Sequence, residues 1–480
     1  MQYETVIGLE THAELQTDSK LWCGCSTTFG EPANTRTCPV CLGMPGALPV
    51  MNRKAFELSV KAAIAMNCRI NRETSFDRKH YFYPDLPKNY QVSQNYCNLG
   101  VDGHITIPSG EGEKEINIWD VHLEEDAGKN MHVEYPGANY SLVDLNRSGM
   151  ALLEIVSAPD MRSVEEAESF MQTLRRILLY SRISDCRMQE GSLRFEASVS
   201  LNPPDRTGEG NRVEIKNLNS MKAVSACLEF EIERQTELLD KGRQIERETR
   251  LWDETAECSR RMRSKEEAHD YRYFPEPDLV CYHIDEEWLS NLKSEVPELP
   301  VRRRRRFIED FGLTEYDASV LTDRRELADY YERVLEHYHS PKTVANWMMN
   351  DVMAALNERK IDITSFSIPA KDLAELIKMA DEESITAQAA GDVLTEMLKS
   401  GRAPSELVKE MGLEAISDSS DLEPIVDKAI EAAPEAVEDY LGGKKKAVGA
   451  LVGQVMRLSQ GQADPKKAKN LLQQKLDEMA

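Results

Sequence analysis

At 480 residues, with 41% hydrophobic and 30% charged side chains, the chain is long enough for about three domains and contains no apolar run that could span a membrane. Its net charge of −24 argues against nonspecific nucleic-acid binding by the surface as a whole, since phosphate contacts are made mainly by Lys and Arg. Glu4 stands where a signal peptide needs basic residues, and six of the ten cysteines (Cys68, Cys97, Cys186, Cys227, Cys258 and Cys281) show no pairing pattern, so a reducing cytoplasm is expected.

The first element is a strand from Val6 to Leu15. Alternation places Glu10, His12 and Glu14 on one face and Ile7, Leu9, Ala13 and Leu15 on the other. Such a polar face fits either a hard divalent cation with open positions, Mg²⁺ or Mn²⁺, or a surface turned to solvent. Cys23-x-Cys25 follows, and twelve residues later Cys38-x-x-Cys41. Two close thiolate pairs at that spacing can close a tetrahedron around one zinc ion, with Gly24, Gly30, Pro32 and Pro39 supplying the turns. A knuckle over 23–41 of this kind stabilises a loop and leaves no open position for catalysis.

Asp77 to Gln91 combines Lys79 and Lys88 with tyrosines and prolines, a loop suited to nucleotide or acceptor contacts. In Val121-x-Leu123-x-Glu125, Glu125 shares the face its apolar neighbours bury, and Glu154 stands inside the apolar run Met150 to Val156. Buried acids need a cation or donors. Strands over Leu193–Leu201 and Arg212–Asn217 each sort into an apolar face and a polar one, the latter carrying Arg194 and Glu196, then Arg212, Glu214 and Lys216. Acids interleaved with bases suit phosphoryl transfer, in which carboxylates hold metal ions and Lys or Arg meets the transferred phosphate. Neither a P-loop, a Rossmann fingerprint nor a Gly-x-Ser-x-Gly elbow is present.

Between Tyr3 and Leu201 the period-two pattern predicts an antiparallel sheet broken by one helix, Ser163 to Ser181, opened by a Ser163/Glu166 capping box. A second helix is predicted from Ser220 to Lys241, ended by Gly242. The resulting α+β domain, residues 1–293, precedes a helical region, 294–405, in which Arg302 to Arg306 read as a solvated run opening a helix or as a phosphate contact. A break from Pro404 to Ser420 introduces a helical tail, 406–480, with an apolar stripe of Val448, Leu451, Val452, Val455 and Leu458. From Leu441 onward eight basic residues face three acidic ones, which fits either a localised nucleic-acid contact or a solvated helical face.

Read in order, Glu10-Thr11-His12, the cysteine knuckle, Tyr83-Pro84-Asp85-Leu86-Pro87-Lys88, His122-Leu123-Glu124-Glu125-Asp126, Asp144-Leu145-Asn146-Arg147, Gln189-Glu190-Gly191-Ser192-Leu193-Arg194 and Glu214-Ile215-Lys216-Asn217-Leu218-Asn219 resemble the B-subunit family of aspartyl/glutamyl-tRNA(Asn/Gln) amidotransferases. The segment Met262 to Asp278 and the Gly442-Gly443-Lys444 to Met456 region extend the resemblance over essentially the whole chain. It implies a cradle domain related to glutamine-synthetase-type folds, then a helical domain and a small tail that together hold tRNA. It also implies ATP- and Mg²⁺-dependent phosphorylation of the side-chain carboxylate of Glu-tRNA(Gln) or Asp-tRNA(Asn). Ammonia from the amidase (A) subunit, which the small (C) subunit braces, then displaces the phosphate.

Carried onto this chain, the resemblance makes Glu10, His12 and Glu125 the first Mg²⁺ candidates, with Glu154, Glu196 and Glu214 beside them. Arg194 and Lys216 would neutralise phosphate, and Lys79, Lys88 and Glu125 would lie along the ammonia route or near its gate. Cys23, Cys25, Cys38 and Cys41 would hold structural zinc. One run departs from the family pattern: Phe195-Glu196-Ala197-Ser198 replaces the usual Cys-Asp-Ala-Asn, lengthening one acid and removing an amide. Two other readings compete, a noncatalytic tRNA-binding scaffold of the same complex and an ATP-dependent ligase for a free small molecule. Acids on inward strand faces favour an enzyme, because unpaired buried carboxylates cost a scaffold stability for nothing.

Overall fold

The computed structural model describes residues 3–110, 112–132, 140–203, 210–262, 271–414, 419–459 and 462–479. Residues 263–270 of the Met262–Asp278 motif, Ser417 and Asp418 of the predicted break, and Gly461 lie outside these. The chain divides into two compact units, Met1–Val301 and Arg302–Ala480.

In the first unit the strands are β1 (Glu4–Glu14), β2 (Arg69–Ile70), β3 (Glu73–Thr74), β4 (Asp77–His80), β5 (Tyr90–Ser93), β6 (Gly100–Ser109), β7 (Gly112–Glu125), β8 (Lys129–His132), β9 (Ser141–Asp144) and β10 (Ala151–Ser157). They continue as β11 (Leu193–Asn202), β12 (Val213–Leu218), β13 (Glu248–Asp253), β14 (Cys258–Arg261), β15 (Phe274–Pro275) and β16 (Tyr282–His283). A nine-stranded sheet runs β14-β13-β12-β11-β1-β10-β7-β6-β2. Its pairings are antiparallel except β12 with β13, which are parallel. The protein is therefore a mixed α and β structure built on one large sheet.

Helices α1 (Arg53–Ala65), α2 (Val164–Tyr180) and α3 (Met221–Asp240) cover one face of that sheet, packing on β6 and β7, on β6, and on β11 and β12 respectively. Ile7, Leu9 and Ala13 of β1, Leu153 and Ile155 of β10, and Phe195, Ala197 and Val199 of β11 are buried in the same apolar cluster as Phe170, Leu174 and Leu178 of α2. Because strand side chains alternate, this burial commits the intervening residues to the opposite face.

Two local predictions need correction. The sequence pattern had one helix before Leu201, but α1 is a second, with Asn52 accepting from the Lys54 and Ala55 amides at its N-cap. Its signal was present in Phe56, Val60 and Ala63, spaced to face one side. At α2 the capping box is only half formed: Ser163 accepts from the Glu166 amide at 3.2 Å, while the Glu166 carboxylate takes the Arg162 amide, Ser109 and Lys114.

The second unit is helical and holds two separate apolar clusters, one from Phe307 to Val408 and one from Leu422 to Leu476. The expected break at Pro404 is a helix, Pro404–Met411, because proline at the first helical position has no amide to waste. In the arginine run, Arg303 is buried and pairs with Asp329 at 2.6 Å and with Glu332, while Arg306 meets Glu332 at 2.6 Å. These two are thus internal ties. In the tail, Val448, Leu451 and Val455 are buried on helix Val448–Leu458, whereas Leu458 is exposed. No helix among the described residues is long and apolar enough to cross a membrane.

Candidate active site

Strand register assembles the polar face. On β1, His12 lies opposite Glu154 of β10 on one side and Arg194 of β11 on the other, and Glu154 lies opposite His122 of β7. Arg194, His12, Glu154 and His122 thus form one row across four adjacent strands, whose spacing of about 4.8 Å lets neighbouring side chains meet. One strand step away, Glu10 lies opposite Glu196. Glu124 and Asp126 extend the same face beyond His122, and Asp126 is held by Arg194 at 2.7 Å and Arg147 at 3.4 Å.

The contacts are close. His12 Nε2 is 3.3 Å from Glu154, 3.6 Å from Glu10 and 3.8 Å from Glu124. His122 Nε2 is 3.2 Å from the same Glu154 oxygen and 3.9 Å from Glu124, while its Nδ1 meets Asp120 at 2.7 Å, which orients the ring. Glu10, His12 and Glu154, and likewise His122, Glu124 and Glu154, each offer ligand atoms within 4.8 Å of one another. Above this floor lies a cleft of about 650 Å³, walled by Lys79, Tyr81, Phe82, Tyr83, Tyr271 and Arg272 and floored at its other side by Arg194, Glu196 and Lys216.

Packing so many acids together out of water shifts their protons. Burial, reinforced by the Glu154 charge, raises Glu10 to about 7, and burial beside Asp126 raises Glu14 to about 8. Burial alone would lower His12, but the hydrogen bond and charge of Glu154, with Glu124 and Glu10, outweigh it and raise the imidazole to about 9. His122 is raised for the same reasons, with Asp120 adding to the effect. Glu154, despite its burial, is held well below the usual carboxylate range by the two imidazoles. Two protonated rings thus supply positive charge at the centre of a carboxylate cluster. A donor set of carboxylates and imidazoles fits a divalent cation, whose binding would displace those protons.

The structure does not bring every candidate to this site. Glu125, expected beside Glu10 and His12, faces the other way: β7 alternation sends Val121, Leu123 and Glu125 to one side and His122 and Glu124 to the side of the acid cluster. Glu125 instead pairs with Lys88 and accepts from the Val92 amide at 2.8 Å. Both line a separate space of about 100 Å³ that also touches Cys23 and Cys41. Lys79 and Lys88, grouped in one loop by sequence, are therefore divided between the two spaces. Glu214 stands further out on β12, paired with Arg212 at 2.8 Å. Glu196 carries the altered strand pattern, and its carboxylate takes Lys216 at 2.5 Å.

Glu124, His122, Asp120, Asp126 and Arg147 were missed as site residues. For the first four the signal was the same alternation that buried Glu125, since a strand that turns Leu123 and Glu125 inward must turn 122, 124 and 126 outward. Arg147, on the turn before β10, had no such signal.

The four knuckle cysteines converge with their sulfurs all within 4.8 Å of one another. Cys41 Sγ lies 3.9 Å from Cys38 Sγ, close to the roughly 3.8 Å that 2.3 Å bonds in a tetrahedron would impose. The adjacent Cys23 is the main influence that lowers Cys41 to about 5, whereas burial raises Cys25 to about 11. A cluster holding thiolate and thiol side by side is suited to a metal.

Comparison with known proteins agrees with this organisation. Residues 5–290 match the GatB/GatE catalytic domain and residues 329–476 match the GatB domain. The chain is 50% identical over 476 residues, 99% of both chains, to the aspartyl/glutamyl-tRNA(Asn/Gln) amidotransferase B subunit of Carboxydothermus hydrogenoformans. It is 50% identical to the protein of that name from Moorella thermoacetica, covering 99% of this chain and 100% of that one, and 47% identical to that from Brevibacillus brevis, covering 100% of both. With the acid-lined sheet face and the cysteine cluster inside the matched catalytic region, the chain belongs to the family of aspartyl/glutamyl-tRNA(Asn/Gln) amidotransferase B subunits.

Proposed function

We propose that this chain is the carboxylate-activating subunit of a glutamine-hydrolysing aminoacyl-tRNA amidotransferase. Its reaction is ATP-dependent phosphorylation of the side-chain carboxylate of Glu-tRNA(Gln), Asp-tRNA(Asn) or both, followed by displacement of phosphate by ammonia to give the amide. The reading rests on one observation above all: Glu10, His12, Glu124 and Glu154 converge on one sheet face beneath a cleft walled by Lys79 and floored by Arg194 and Lys216. A carboxylate is a poor electrophile at neutral pH, so amidation needs both a phosphoryl donor and cationic groups to offset its charge.

The acids and imidazoles would hold Mg²⁺, which supplies charge neutralisation for the phosphates when bound. Lys79, Arg194 and Lys216 orient the anionic groups and screen their repulsion, while Tyr81, Phe82 and Tyr83 form the wall against which an acceptor end can rest. Lys88 and Glu125 fit the ammonia route, since they line a second small space apart from the acid cluster. The knuckle would hold zinc. The sheet would serve as the cradle of a glutamine-synthetase-type fold, with 294–405 and 406–480 as separate tRNA-holding domains. With the amidase (A) and small (C) subunits the chain forms a cytoplasmic heterotrimer.

The test is phosphate release from ATP by the chain combined with its amidase and small partners, given Glu-tRNA(Gln), Asp-tRNA(Asn) or correctly charged Gln-tRNA(Gln). Release that needs a misacylated tRNA and collapses with Glu154→Gln is the expected result. No tRNA-dependent release with any of them would leave a scaffold.

A further inference from the structure

Lys20 is fully buried, and among the described residues no carboxylate lies within 4.0 Å of its ammonium. A buried cation without an anionic partner is costly. Its Nζ donates instead to the Ser148 carbonyl at 2.7 Å, the Leu145 carbonyl at 3.4 Å and Cys41 Sγ at 3.8 Å, which uses all three donors. Of these three acceptors only Cys41 Sγ can carry negative charge, as a thiolate of the knuckle. Four thiolates around a divalent ion carry a net charge of −2, and one ammonium against Cys41 offsets half of it.

The same lysine joins the knuckle to the turn 144–149, and that turn reaches the cleft. Asn34 of the knuckle loop donates to Val143 and Asp144 and accepts from the Leu145 amide at 2.8 Å. Ser148 also donates to the Cys41 carbonyl at 3.4 Å. From the far side of this turn Arg147 reaches Asp126 at 3.4 Å and donates to the Ala127 and Gly128 carbonyls at 3.0 and 2.7 Å.

We propose that Lys20 is a positioning residue that locks the metal-loaded knuckle to the turn carrying Arg147, so that metal occupancy of the knuckle sets the order of the Asp126 side of the cleft. This rests on the reading of the four cysteines as a metal site. Residues that support a ligand set in this way typically change metal affinity 10–100-fold when removed.

The full chain is loaded with Zn²⁺ or Co²⁺ and titrated with a competing chelator, as wild type and as Lys20→Met. The substitution keeps the stem and removes the charge. The expected results are at least about tenfold weaker retention of either ion and a displaced cobalt–thiolate absorption band, because the donor to Cys41 Sγ is lost. Amide hydrogen exchange across 145–149 in the wild type, with and without metal, is read in parallel, and at least about tenfold faster exchange on metal removal is expected. Unchanged exchange at 145–149 overturns the proposal, and so does a Lys20→Met chain with wild-type retention and spectrum. If Lys20→Met does not fold, Lys20→Gln takes its place in the same titration and is read in the same way. A wild-type chain that takes up neither ion fails the cysteine reading itself, a result distinct from a loaded knuckle indifferent to Lys20.

Discussion

Glu154 sits between two imidazoles, 3.3 Å from His12 and 3.2 Å from His122, and this shared carboxylate governs how the site responds to pH. His12 gains proton affinity on folding, to about 9 from an ordinary 6.5, so the stability it supplies is complete below pH 6.5 and is lost as pH rises through 9. Glu10 and Glu14, raised from 4.5 to about 7 and about 8, act in the same direction, since the folded state retains protons that the unfolded chain has released. Metal-free protein is therefore expected to melt at progressively lower temperature from about pH 5 to about pH 9. Thermal denaturation across that range checks it, and a Tm that rises instead would refute the proton assignments. Millimolar Mg²⁺ near pH 8 should restore much of the loss, because a cation stabilises the ionised carboxylates. Glu154→Gln removes the charge both rings share and should weaken cation binding by at least about tenfold, measurable by titration calorimetry.

Elements place these residues, and their stability can be tested without touching the chemistry. Helix α2 presses Phe170, Leu174 and Leu178 onto the sheet opposite the acid cluster. Leu174→Ala should cost about 2–5 kcal/mol, as a buried leucine leaves a cavity. Ser163→Ala should cost about 1 kcal/mol by removing the cap on the Glu166 amide. Urea unfolding distinguishes the two, and equal losses would mean that α2 is held by its terminus rather than by its apolar face. Strand faces were largely legible in the chain: alternation along Val6 to Leu15 suffices to put Glu10 and His12 on one side and the core residues on the other. The same rule applied to β7 separates Glu124 from Glu125. What alternation does not carry is which strands are neighbours, and so the meeting of His12 with Glu154 and of Glu154 with His122 could not be read from it.

At the scale of the whole molecule, the first unit holds one apolar interior and the second two others, so a chain ending at Val301 should unfold cooperatively by itself and keep its cation binding. With the second unit read as the tRNA-holding part, that shortened chain should lose any response of ATP hydrolysis to misacylated tRNA. Retained tRNA dependence would contradict that division of labour. The sequence by itself determined the local features: the close cysteine pairs, the faces of single strands, the helices opened by Ser163 and Ser220, and the family motifs. These follow from spacing along the chain, which fixes side-chain direction through the periods of strand and helix. Only the tertiary structure decided the order β11-β1-β10-β7, the removal of Glu125 from the acid cluster into a pair with Lys88, and the tie from Lys20 to Cys41 and Ser148. The physical reason is that these contacts join residues up to well over a hundred positions apart, and burial of the common core, rather than any local preference, selects the register that brings them together.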